Sequence, residues 1–468
     1  MLWNPWWNRV CEWRSACART RTFLWMSLCL AGMTPRKHLQ GVTSIVRSLG
    51  LEPACCDPLL DFFHSSALDL DKLTAAWCAL LFRLDPGILR VNGRAVLAGD
   101  GIQVAKAGRK LPAVNKLHQQ SQSNNMAEYI FGHSCQALAV LTQALSSVFA
   151  LPLACRIHEG AVFSNRDQPT LLDKMIRLLD SLALKQPFYF VADAYYASGK
   201  IVRGLLAQGN HWLTRVKSNS VAFFPATPPP LHRPRPKGRP AKYGKKIQLA
   251  TLLQDAGRLQ EAPSPVYGQK DVILRSRAAD LLWRPAGILV RFVVVLHPQR
   301  GAILLRCTDL TLSPLDIIRL YGLRFKIEVS FQQALHVIRA YAYHFWMAAM
   351  TPLRRVSGNP YLHCKSESYR DAVRRNIAAC HRHIQLGLIA QGLLHILSAT
   401  QPKLVWRSFG SWIRTIRPGL APSEQVVAIA LRHTLPDFLA AAAKTSILAK
   451  FIQDRLDLSR TEATSLAA

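Results

Sequence analysis

The chain has 468 residues, half of them apolar, and carries 59 Lys and Arg against 28 Asp and Glu, a formal charge of +31. That length and apolar content support about three folded domains and exclude a disordered basic tail protein. Positive charge on this scale concentrates polyanions, so nucleic acid is the first partner class expected and an anionic membrane the second. Eleven cysteines without a C-x-x-C pair suit a reducing compartment, the cytoplasm, better than a disulfide framework. The group His363, Cys364, Cys380, His381 and His383 lacks the tight spacing of a zinc site.

Residues 1–90 read as a helical region that serves DNA binding, dimerisation or packing. Apolar residues there recur at three- and four-residue steps, and Asp71 is placed to cap the last helix. The run Phe23 to Met33 follows Arg19 and Arg21 like a signal segment, yet no small-residue cleavage site follows it. From Arg94 the texture changes. Strands are expected at 94–100, 135–142, 153–159, 188–193 and 211–216, with helices at 170–184 and 198–208. This βββαβαβ order over 91–220 implies a mixed α/β sheet. Gly132 to Cys155 is long enough to span a bilayer, but its polar residues and Pro152 fit two buried strands joined by a Ser-Ser turn. Residues 221–312 read as a basic, β-rich insertion with strand-like runs at 270–275, 287–296 and 302–308. A helix starts again at Ser313-Pro314, giving a segment 313–350 and a helical C-terminal region 351–468. In that last region, His383 to Pro402 reads as a buried amphipathic helix, so a soluble protein without a membrane partner is expected.

Acids are scarce, so their placement is informative. One expected strand delivers Asp100 between Gly99 and Gly101, and another delivers Asp193 between Ala192 and Ala194. A carboxylate at the end of an apolar strand, flanked by small residues, sits where α/β sheets place ligands. A strand-terminating Asp in a turn is the plain alternative. Helical spacing then puts Tyr321, Arg324 and Glu328 on one face, either as part of a site or as a simple Arg324–Glu328 surface pair. Three converging carboxylates repel unless hard divalent cations neutralise them, and two such ions promote in-line displacement at a phosphodiester.

Taken together these residues resemble the bacterial insertion-sequence DDE transposases with a Y-x2-R-x3-E-x6-K signature. The resemblance covers roughly 95–350: Leu97-Ala98-Gly99-Asp100-Gly101, Glu128-Tyr129-Ile130-Phe131-Gly132-His133, Val191-Ala192-Asp193-Ala194-Tyr195-Tyr196, then Tyr321, Arg324 and Glu328. It implies a ribonuclease-H-like core. It also implies two Mg2+ or Mn2+ ions on Asp100, Asp193 and Glu328, with Tyr321 and Arg324 contacting DNA near the cut end. The partners implied are the terminal inverted repeats of the element and target DNA, handled by a homodimer assembled on DNA. Leu335 stands where that family has its Lys. The expected function is therefore metal-dependent strand cleavage and transfer in DNA transposition, against a nuclease of the same fold or a non-catalytic DNA-binding derivative.

The segment 232–246 holds seven Lys and Arg and no acid. Arg235, Lys237 and Arg239 form an AT-hook-like core, extended by Lys245 and Lys246, that reads either as a minor-groove binder or as a solvated basic loop. Lys106, Arg109, Lys110 and Lys116, after the first Asp, read equally as phosphate contacts or solvent-facing residues.

Overall fold

The computed structural model describes residues 1–36, 41–119, 128–144, 147–166, 169–227, 238, 240–266, 268–442 and 446–459. Helices α1 (Trp3–Cys11), α2 (Thr20–Met33), α3 (Thr43–Ser48), α4 (Cys56–His64) and α5 (Leu70–Leu84) come first. Strands β1 (Arg90–Val91), β2 (Arg94–Ala105), β3 (Asn115–His118), β4 (Tyr129–Ala144) and β5 (Ser147–Ile157) follow. Next are α6 (Leu171–Asp180), β6 (Phe188–Ala192), α7 (Gly199–Ala207) and β7 (His211–Val216). Strands β8 (Val221–Pro225), β9 (Tyr243–Gln248), β10 (Gln260–Pro263), β11 (Ile273–Trp283), β12 (Ile288–His297) and β13 (Gly301–Cys307) precede α8 (Pro314–Leu323) and α9 (Lys326–His336). The chain continues through α10 (Glu367–Thr400), α11 (Pro402–Phe409), α12 (Glu424–Ala442) and α13 (Ile447–Gln453). The fold is mixed α/β with helical ends, and its β2, β4, β5, α6, β6, α7, β7 succession agrees with a ribonuclease-H-like core.

Local chemistry explains where several helices begin. Thr170 and Asp173 form a reciprocal capping box ahead of α6, and the Ser198 and Ser313 hydroxyls accept the backbone N–H groups of Lys200 and Asp316. For α5 the cap is Asp69, which accepts from the Lys72 N–H, rather than Asp71. Asp71 stands in the first turn, where its charge suits the helix N-terminus, 3.8 Å from Arg156. Helix α6 stops at Asp180, short of residue 184, and Ala183 adopts the left-handed conformation just beyond it.

Two compact units are present: residues 1–88, 101–184 and 327–468 in one, and residues 89–100 and 185–326 in the other. In the second unit, β2 as far as Asp100 runs parallel to β6, and β6 runs parallel to β7. Antiparallel pairs then extend the sheet from β7 through β13, β12, β11, β8 and β9.

In the first unit, β4 and β5 pair antiparallel from Cys135 opposite Ile157 to Ala144 opposite Ser147. Both strands are mostly buried, which accounts for the long uncharged stretch from Gly132 to Cys155. Ser146 of the expected turn lies outside the described residues. Helix α10 is buried along most of its length, and hydrogen bonds tie it to β5: Arg156 donates to Gln385 at 2.8 Å, and Gln385 donates to the Leu153 carbonyl at 2.8 Å. Among the described residues no helix is long and apolar enough to cross a membrane.

Gly392 of α10 lets the Trp77 ring lie against the helix backbone. A Cβ there would stand 2.2 Å from that ring, whose indole N–H already donates to the Pro152 carbonyl at 3.0 Å. Gly392→Ala is therefore expected to destabilise the protein by about 1–3 kcal/mol through overpacking. Urea unfolding followed by circular dichroism measures this, and an unchanged midpoint would show that the contact yields without cost.

Candidate active site

Asp100 is inside strand β2 rather than at its end. The strand runs on to Ala105 because Gly101 to Ala105 keep the alternation, with Ile102 and Val104 turned inward. What ends near Asp100 is the parallel pairing, whose last matched pair is Gly99 opposite Ala192. Asp100 and Asp193 are the next residue on each strand, so two acids follow the same rung of adjacent parallel strands, whose spacing is roughly 4.8 Å. Asp193 is also a turn residue. Its Oδ1 accepts the Tyr195 N–H at 2.9 Å, and its carbonyl accepts the Thr214 hydroxyl at 2.7 Å.

Arg324 lies beside this pair of acids. Its guanidinium donates to Asp100 Oδ2 at 2.5 Å, with both side chains less than one-fifth exposed. It also lies 5.9 Å from the centre of the Tyr321 ring. Burial pushes the Tyr321 hydroxyl pKa up. The Arg324 and Arg215 charges pull it down, and Asp193 raises it, so all four groups share one neighbourhood. Arg215 was not singled out by sequence reasoning. Its signal is its outward place on β7, directly after Thr214, whose hydroxyl secures residues 192 and 193.

The expected single helical face for Tyr321, Arg324 and Glu328 is corrected by the structure. Helix α8 ends at Leu323, Arg324 and Phe325 form a turn, and α9 begins at Lys326. Arg324 itself keeps helical backbone angles, φ −51° and ψ −40°, as the C-cap of α8, and from there it meets Asp100. Glu328 is exposed in the first turn of α9, within the other compact unit.

The remaining acid of interest is buried Asp309, which is satisfied by its neighbours. Its oxygens accept from the Tyr189 hydroxyl at 2.6 Å and from the Thr311 N–H and hydroxyl at 2.8 and 2.7 Å. It is a structural acid, unlike Asp100 and Asp193 beside the basic cluster.

Of the Lys106 to Lys116 cations, Arg109, Lys110 and Lys116 are exposed, one of the two expected placements, and only Lys106 departs from both. Lys106 is buried, donates to the Tyr341 and Tyr343 carbonyls, and lies 3.6 Å from the centre of the Tyr343 ring. Burial lowers its pKa to about 8. Arg109 and Lys110 donate to the carbonyls of Leu353 and Ala348 at 2.8 and 3.1 Å. The first three thus fasten residues 341–353. Arg235, Lys237 and Arg239 lie outside the described residues, whereas Lys245 and Lys246 are exposed on β9.

Carboxylate oxygens at Asp100 and Asp193 are hard donors that suit Mg2+ or Mn2+, and Asp100 already accepts a cationic partner in Arg324. The donor chemistry fits a divalent ion, although no group of three His, Cys, Asp or Glu is gathered for one among the described residues. Of the Cys and His group in the C-terminal region, His381 accepts the Ile157 N–H at 3.0 Å, and His383 donates to the Ala340 carbonyl at 2.9 Å.

No curated protein matches this sequence. A family model described as DDE superfamily endonuclease matches residues 22–278, more than half of the chain; the match contains Asp100 and Asp193 and stops before Tyr321. Family membership implies DNA as the substrate and a requirement for divalent metal. The chain belongs to the DDE superfamily endonucleases.

Proposed function

We propose that the protein is the transposase of a bacterial insertion sequence, which cuts DNA at the element's ends and joins them to target DNA. The observation that carries this reading is the shared rung of Asp100 and Asp193, with Tyr321, Arg324 and Arg215 gathered beside them. Asp100 and Asp193 hold divalent metal, with Glu328 as the third carboxylate; the role of Glu328 rests on its place in the sequence, four residues after Arg324. The metal supplies Lewis-acid activation of the attacking oxygen and charge stabilisation at the leaving oxygen.

The protein's own groups then have separable tasks. Arg324 and Arg215 orient the phosphate, because a guanidinium presents paired donors to an oxyanion. Tyr321, half-buried with its hydroxyl held protonated, donates to DNA near the cut. Lys245, Lys246 and the Arg235, Lys237 and Arg239 segment clamp the duplex through its phosphates. A homodimer brings two ends together.

The test incubates the full chain with DNA carrying the flanking element's ends, in Mg2+ or Mn2+. Metal-dependent nicking followed by joined product is expected. Cleavage without joining would make the protein a nuclease. Soluble, DNA-binding protein that gives no metal-dependent product would overturn the catalytic reading in favour of a DNA-binding derivative, the reading that Leu335 favours.

A further inference from the structure

A cavity of 760 Å³ opens within the first unit, among β2, β4 and the turn after α9. Its size falls in the range of small-molecule sites, about 300–1,000 Å³. Its described lining includes Lys106, Lys116, Arg339, His344 and Arg355 and no Asp or Glu. On one wall, Tyr129 and Phe131 are two residues apart on β4 and so share a face of the strand. Lys116 pairs with Phe131 across the β3–β4 register, and its ammonium lies 3.8 Å from the centre of the Tyr129 ring. Glu128, outside the lining, hydrogen-bonds the Tyr129 hydroxyl, and the His118 ring meets the Tyr129 ring edge to face with centroids 5.2 Å apart. Leu335 completes an apolar margin.

Two buried cations, Arg36 outside the lining and Lys106 within it, fix the backbone of 338–343, a stretch of which Arg339, Tyr341 and Ala342 line the cavity. Arg36 donates to the Ile338 carbonyl at 3.1 Å and to the Arg339 carbonyl at 2.6 Å. These bonds hold Arg339 in the left-handed conformation, with φ of 57°, that an L residue rarely adopts. Lys106 holds the Tyr341 and Tyr343 carbonyls from the other side. Arg36 and Arg339 are close enough to repel. A concave surface that gathers like charges around the exposed Tyr129 and the partly exposed Phe131 matches a ligand with both an anionic and a planar aromatic part.

We propose that this cavity binds a nucleotide, its base stacked on Tyr129 and Phe131 and its phosphate held by Lys116, Arg339 and Arg355. The ligand is either a soluble nucleotide or one unpaired unit of a DNA strand, since both present the same base and phosphate. The site goes beyond the strand-transfer reading and does not depend on it. Stacking tolerates any base, and the charge-assisted contacts fix the phosphate.

Calorimetric titration of the full chain with deoxyadenosine monophosphate, short oligothymidylate and inorganic phosphate tests the site without reference to cleavage. Binding of either nucleotide probe, tighter than that of phosphate, is expected. Lys116→Ala and Arg355→Ala should each weaken it roughly ten-fold, the size of one charge-assisted contact. Ala107→Trp, which fills the cavity from an exposed wall position, should abolish it while the circular dichroism spectrum is retained. The monophosphate binding as well as the oligonucleotide would identify a soluble ligand, and the oligonucleotide binding alone would identify a DNA unit. Phosphate competing equally with both nucleotides would overturn recognition of the base. Binding unaffected by all three substitutions would overturn the site, whatever the outcome of the cleavage assay.

Discussion

Asp193→Asn is expected to lower metal-dependent DNA cleavage on the order of 10³-fold, because removing a carboxylate ligand forfeits several kcal/mol of transition-state stabilisation. The substitution is conservative for the fold. Asn keeps the side-chain oxygen that accepts the Tyr195 N–H, and Asn is as good a cap as Asp. Asp100→Asn should lose activity to a similar degree but carries a second effect. It strips the charge from the partner of a largely buried Arg324, at a cost to stability of about 2–3 kcal/mol. Glu328→Gln should be silent in unfolding experiments, because the side chain is exposed, yet inactive. Cleavage rates on end-bearing DNA, paired with a gel-shift measurement of binding, separate these cases. If Asp193→Asn cleaves within a few-fold of wild type, the carboxylate assignment is wrong.

Mild acid is expected to unfold the protein through two histidines that must remain neutral. His133 is wholly buried. One ring nitrogen donates to the Pro112 carbonyl at 2.9 Å, and the other accepts from the Tyr343 hydroxyl at 2.6 Å. His381 accepts the Ile157 N–H at 3.0 Å. Protonation would turn each acceptor nitrogen into a donor facing a donor. Burial, with Lys106 near His133 and Arg156 near His381, lowers both pKa values from 6.5 to about 3. At these two sites the unfolded chain thus binds two more protons than the folded one between these limits, and His158 and His383, also lowered by burial, act in the same direction. Stability is complete above pH 6.5 and falls as pH drops towards 3, at up to about 2.7 kcal/mol per pH unit for two protons. Urea midpoints at pH 7, 6 and 5 should decline with that slope. His133→Gln combined with His381→Gln keeps an acceptor at each position without titration, so the decline should become shallower. Equal midpoints at pH 7 and 5 would refute the account.

The two aspartates were legible because each follows an apolar run flanked by small residues, and that local pattern survives in the parallel register of β2 and β6. The pairing of Asp100 with Arg324 was not legible, since the partners are 224 residues apart. Helical periodicity gave Arg324 a place on a continuous helix. The two-residue break before α9 contains no Pro and follows only one Gly, Gly322, so the sequence did not signal it. Lys106 had a signal that charge alone concealed. It continues the alternation Ile102, Val104 and so falls on the inward face, where carbonyls and a ring replace water. The Asp69 cap was two residues from the expected Asp71, the scale at which a helix end is decided by a single side-chain geometry rather than by periodicity.

The guanidinium of Arg324 is a resource shared by two claimants. While its Nη1 donates to Asp100 Oδ2, that carboxylate has a resident cation beside it, and an arriving phosphate competes for the same guanidinium. On the proposed reading, a backbone phosphate that draws Arg324 away removes one cation from beside Asp100 and makes room for another. If both bind there as proposed, substrate and divalent ion raise each other's affinity by the same factor, as thermodynamic reciprocity demands. The same internal ion pair would then make metal binding at Asp100 conditional on a phosphate that competes for Arg324.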